Sequence, residues 1–124
     1  MKIYNNKNMT DDKKQQLQHR MDALHDKYRK QLPDKYQEIE DSWKDYQTDL
    51  NNPDFLDTFY RIVHTFKGTA ATFGFNKQAD VCFEIQKLLL ASKENNTILA
   101  KSAAAEIKQQ LAELKSIINT PANK

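Results

Sequence analysis

Apolar residues recur along this chain at helical rather than alternating spacing, and the recurrence breaks into five segments. The first is thin: Leu17, Met21, Leu24, Tyr28 and Leu32 keep one stripe through an otherwise polar stretch. Thr10 followed by Asp11 and Asp12 predicts its start, since the hydroxyl caps the helix and the two acids face the positive end of its dipole. Pro33 predicts its end or a kink, because proline lacks the amide proton and disfavours helical geometry at Leu32. As a first-turn residue Pro33 also opens the next helix, where Tyr36, Ile39, Trp43, Tyr46 and Leu50 form a second stripe.

Asn52, Pro53 and Asp54 give the strongest helix start in the chain, with a side-chain cap, a first-turn proline and an acid in sequence. The helix they open carries Phe55, Phe59, Ile62, Val63, Phe66, Ala70 and Phe73 within about 100° of arc. Gly74 is placed to end it in a left-handed cap. A fourth helix, about Asn76 to Ser92, has Val81, Cys82, Ile85, Leu88 and Leu89 as its main face, with Phe83 and Leu90 off that stripe. Lys93 to Asn96 reads as a loop and Thr97 as the cap of a fifth helix. Ala100, Ala103, Ala104, Ile107, Leu111, Leu114 and Ile118 line that helix, and Pro121 closes it. Five helical segments joined by short turns predict an all-α bundle of up-and-down neighbours. Residues 1–9 are expected to be a flexible terminus and 10–120 a single domain, with the bundle core over about 33–119 and the first helix as a flank or cap.

Composition agrees with this picture and removes several function classes. A chain of 124 residues falls within the usual span of one domain, and two Gly with three Pro leave too little punctuation for many strands. Charged residues make up 29% and nearly balance at +2, so nothing points to general nucleic-acid affinity. No apolar run is long enough for a membrane span, and the N-terminus lacks the apolar core of a signal peptide; a soluble, cytoplasmic protein without membrane contact is expected. The single Cys82 cannot form an internal disulfide and is expected to be buried and inert. Carboxylates are scattered without an acid–base pair, and no Gly-rich loop exists to cradle a nucleotide. Trp43, Tyr36 and Tyr46 read as core and interface rather than as a base-stacking platform. His19 and His25, six apart on different faces of the polar first helix, read as solvated and not as a metal pair.

His64 has different surroundings. It lies about 180° from Phe55 on the helical wheel and so points away from the core, with Lys67 one turn on, Gly68 at i+4 and Ala71 at i+7 on the same outer face. A mid-helix glycine costs about 1 kcal/mol relative to alanine, and Gly68 is one of only two glycines here. Its missing side chain clears space beside the ring, while Lys67 can bring an ammonium to any anion carried there. An imidazole is a neutral nucleophile at cellular pH. Phosphoryl passes to and from such a nitrogen by in-line displacement, in which positioning and electrostatics do most of the catalysis. The arrangement suits a histidine that holds a phosphoryl group.

The run His64-Thr65-Phe66-Lys67-Gly68-Thr69-Ala70-Ala71-Thr72-Phe73-Gly74 resembles the signature of histidine phosphotransfer (HPt) domains, roughly H-x-apolar-K-G-small-small-x-x-apolar-G. The resemblance extends less specifically from about Leu24 to about Ile118. It implies an antiparallel four-helix bundle, here with an additional N-terminal helix, and His64 as phosphoacceptor beside Lys67 and Gly68. The implied partners are response-regulator receiver domains or a hybrid sensor kinase. It implies no cofactor in this chain, since the receiver brings Mg²⁺ and the phosphorylatable aspartate.

Two positions depart from the family pattern. Gln78 stands fourteen residues after the histidine, where many members are apolar. Gln86 stands twenty-two after it, where chemotaxis kinases carry a glutamate, although the Thr72–Phe75 end resembles that subfamily. A carboxylate there would raise the basicity of the imidazole and help it take phosphate from ATP. An amide orients the ring or bonds the phosphoryl oxygens without adding charge, so Gln86 favours a relay between receivers over the phosphotransfer domain of a chemotaxis-type kinase. The remaining alternative is a phosphorylation-independent adaptor that binds a receiver through the Tyr60, His64, Lys67 and Ala71 face. Phe75 is expected to emerge near His64 and contact a partner, and Phe73 to pack in the core.

Overall fold

The computed structural model describes residues 10–120, which form four helices and no strand. These are α1 (Asp11–Thr48), α2 (Pro53–Thr72), α3 (Asn76–Asn95) and α4 (Lys101–Ile118). The segment 1–9 expected to be flexible and the closing Pro121 lie outside the described residues. The chain divides into two units, Met1–Gln31 and Leu32–Lys124, with the boundary inside α1.

In the first unit Thr10 caps α1 as expected, its hydroxyl accepting from the Lys13 amide at 3.2 Å. Leu17, Met21 and Leu24 stand exposed along the helix, which is braced locally by Gln18 donating to Asp22 and Arg29 to Asp26. The expected additional N-terminal helix is not a separate element, because α1 runs through Pro33 without ending. An interior proline forfeits one ladder bond and costs about 3 kcal/mol. Its ring is exposed, while Leu32, Tyr36, Ile39 and Tyr46 of the same helix are buried. Each such side chain gains about 1.5–3 kcal/mol on leaving water, so burial outweighs the break.

The second unit is a helical bundle. Its core takes Leu32, Tyr36, Ile39 and Tyr46 from α1, Phe59, Val63, Phe66 and Ala70 from α2, Ile85 and Leu89 from α3, and Ile107, Leu111 and Leu114 from α4. Trp43 packs on Phe59 across the α1–α2 connection, and the Tyr36 hydroxyl donates to the Leu111 carbonyl of α4 at 3.1 Å. Asn52 caps α2 by accepting from the Asp54 amide at 2.9 Å, with Pro53 behind it.

The α2–α3 turn is a Schellman motif. The Phe75 amide donates to the Ala70 carbonyl and the Gly74 amide to that of Ala71, with Gly74 at φ +80°, a conformation that favours glycine. This geometry folds the chain back and corrects the expectation for its two aromatics. Phe75, expected near the partner surface, is fully buried, and Phe73 is only half-buried.

Helix α3 continues three residues past Ser92 and ends at Asn96, whose φ of 51° is left-handed. Asparagine tolerates that conformation better than most residues. Thr97 does not cap the last helix: its amide donates back to the Ser92 carbonyl and closes α3. Leu99 is buried in the connection, and α4 begins only at Lys101.

Candidate functional site

Three contacts between α2 and α3 share one register. Asp57 pairs with Lys93, His64 with Gln86 and Lys67 with Phe83. Each pair straddles Phe75 at equal sequence distance on the two sides, as an antiparallel hairpin turning at Gly74 and Phe75 requires. The turn that glycine permits therefore decides which α3 residue faces the histidine.

His64 is exposed and Gln86, opposite it, is buried. The Gln86 Nε2 lies 2.9 Å from the His64 Nδ1, which engages that ring nitrogen and leaves Nε2 as the other nitrogen of an exposed residue. In this orientation the Gln86 Oε1 has no hydrogen-bond partner among the described residues. Turning the amide over would set Oε1 against an Nδ1–H, since the oxygen and nitrogen of an amide occupy nearly the same space. An amide thus serves either tautomer of the ring. A carboxylate could only accept.

Tyr60, one turn before, stacks on the imidazole with centroids 6.2 Å apart and planes 5° from parallel. The Lys93 ammonium sits 4.7 Å over the Tyr60 ring and also binds Asp57. The hydrogen bond from Lys93, reinforced by its charge, holds the Asp57 carboxyl below the usual carboxylate range. This exposed pair adds little to stability, but it occupies Lys93 over the Tyr60 ring.

Lys67 takes no ion pair among the described residues; its ammonium lies 5.3 Å from the centroid of the exposed Phe83 ring. Lys87 approaches the same ring at 5.1 Å while paired to Glu84 at 3.0 Å. At Gly68 an added Cβ would meet nothing within 4 Å, so no neighbouring helix packs there. The open space lies one turn beyond His64 on the same face.

Residues 23–117 match the profile of the Hpt domain family. The chain belongs to that family. Hpt domains are helical bundles that act in histidine phosphotransfer within two-component signalling, where they meet receiver domains and kinases. Comparison with curated proteins gives no significant match. Among the described residues of this Hpt domain, no helix is long and apolar enough to cross a membrane.

The four residues singled out from sequence, His64, Lys67, Gly68 and Gln86, fall on one α2–α3 face. Cys82 is buried as expected, and burial pushes its thiol up to about 12, against a smaller opposing pull from the Lys67 charge. Gln78 is fully buried, and neither of its amide atoms has a hydrogen-bond partner among the described residues. Phe83, Lys93 and Asp57 were not picked out by periodicity. The signal for them is the turn: once Gly74 and Phe75 are made the pivot, counting outward aligns all three pairs.

Proposed function

We propose that this Hpt domain relays a phosphoryl group between His64 and the aspartate of response-regulator receiver domains in the cytoplasm. The observation that carries the reading is the Gln86–His64 contact, which engages an exposed imidazole beside an ammonium with no ion pair among the described residues and an open glycine. With the proton on Nδ1 facing the Gln86 oxygen, the Nε2 lone pair attacks the phosphorus of a receiver's aspartyl phosphate. The P–O bond to the aspartate breaks as the P–Nε2 bond forms, and the aspartate leaves as a carboxylate. The imidazole becomes a phosphorylated cation whose Nδ1–H is still held by Gln86. Return of the group to a second receiver runs the same steps backwards.

We assign the Mg²⁺ of the reaction to the receiver, where it would screen the phosphoryl oxygens. From this side Lys67 stabilises them electrostatically. The neutral Gln86 supports relay between receivers over direct phosphorylation from ATP, because it adds no charge to make the imidazole more basic.

The test is incubation with a phosphorylated receiver. An acid-labile, base-stable label is expected on His64, and none on His64→Gln, which should remain within about 0.5 kcal/mol of the parent in stability because the residue is exposed. A labelled His64→Gln protein refutes the assignment. Tight receiver binding without any label would favour the adaptor alternative.

A further inference from the structure

The α2–α3 face carries two rungs one turn apart, His64 with Gln86 and Lys67 with Phe83. In the second rung Lys67 is the residue that meets the phosphoryl group, and Phe83 is the residue that meets Lys67. Phe83 is the large apolar side chain most exposed on α3, at 48%, and it bears ammonium groups at 5.3 Å and 5.1 Å from its centroid. One of these, Lys87, is anchored by Glu84. That pairing also occupies the carboxylate one residue from Phe83. Lys67 is held by the aromatic ring and by no carboxylate among the described residues.

We propose that Phe83 is a positioning residue: its ring holds the Lys67 ammonium beside His64 in the unphosphorylated domain and surrenders it to the phosphoryl group when His64 is modified. The inference rests on the phosphotransfer reading. An aromatic face attracts a cation through its quadrupole and carries no formal charge. A carboxylate in the same place would hold Lys67 more firmly and repel the incoming phosphoryl. The charge-assisted bond from an ammonium to a phosphoryl oxygen is stronger than an exposed cation–π contact, so modification of His64 favours release. Lys67 lies three residues from His64 on the same helix, and its flexible four-carbon stem spans the change by rotamer alone. When the phosphoryl leaves, the ring takes the cation back.

Phosphoramidate tests this without a protein partner: its P–N bond breaks, a P–N bond to His64 Nε2 forms, and ammonia leaves. In the unmodified protein the ring current of Phe83 is expected to move the Lys67 ε-methylene proton signals upfield, and phosphorylation of His64 to return them toward their ordinary position. Phe83→Leu should abolish the upfield shift, and Phe83→Trp should keep it. With a phosphorylated receiver as donor, Phe83→Leu should slow transfer in the parent and add no further loss in a Lys67→Ala background.

Independent, multiplying losses from Phe83→Leu and Lys67→Ala would overturn the proposal and make Phe83 a docking residue only. A labelled His64 with unmoved Lys67 signals overturns this inference alone. Failure of His64 to take the label overturns the phosphotransfer reading, and this inference with it.

Discussion

Replacing Gly68 separates the helix from its surface. The position is helical, and an added Cβ meets nothing within 4 Å, so neither backbone strain nor a clash opposes a larger residue. Gly68→Ala should therefore gain most of the difference in helix propensity, about 0.8–1 kcal/mol, and Gly68→Gln slightly less. For a domain of roughly 100 residues that is a rise in Tm of about 4–8 °C. The glutamine side chain would project one turn beyond His64 into the space a receiver needs, and a displacement of about 1 Å in the reacting partners can cost about 10²-fold in rate.

Stability and transfer should move in opposite directions. Thermal unfolding gives the first, and label transfer from a phosphorylated receiver gives the second. Phosphoramidate, being small, should label Gly68→Gln as readily as the parent. A lower Tm for Gly68→Ala would refute the open helix surface, and an undiminished receiver-dependent rate for Gly68→Gln would refute docking across this face.

Phe75→Ala should cost about 3–5 kcal/mol, as expected for a fully buried phenylalanine, and Phe73→Ala clearly less; the reverse order in urea unfolding would refute the turn geometry. Burial raises the Cys82 thiol to about 12 and, as the leading cause, the Tyr36 and Tyr46 phenols above their ordinary value. All three hold their protons more tightly folded than unfolded. Stability is therefore whole below about pH 9 and falls as pH rises toward 12, with Cys82 alone contributing up to about 1.4 kcal/mol per unit. A urea midpoint unchanged between pH 8 and pH 11 would contradict this. Native Cys82 should resist a thiol reagent at pH 8 that labels it rapidly in urea.

The stripe of α2 is legible because an amphipathic period and a cap coincide at Asn52 and Pro53, and that of α4 by its period alone, without a side-chain cap. Where a local signal competes with long-range burial, sequence reading failed. Pro33 is a breaker by local rules, yet buried residues on both sides carry the helix across it. Thr97 is a good cap by type, but its amide is already used to close α3. Phe75 follows Gly74, and beyond a left-handed residue the helical wheel no longer predicts direction. The site was more legible than the fold around it, because histidine, lysine and glycine sit within five residues on one helix and need no tertiary information to share a face. Gln86 needed the family pattern, and Phe83 needed the hairpin.

The shared pivot at Phe75 also ties the geometry of this site to the number of residues on either side of it. One residue inserted between Lys67 and Gly74 would turn the imidazole by about 100° and slide it about 1.5 Å relative to α3, unthreading the Asp57, His64 and Lys67 pairs together. An equal insertion on α3 between Phe75 and Phe83 would restore the distances but not the facing. A variant that keeps the three pairs facing must therefore keep the residue count between Asp57 and Lys93, and the connections at 49–52 and 96–100 lie outside that span.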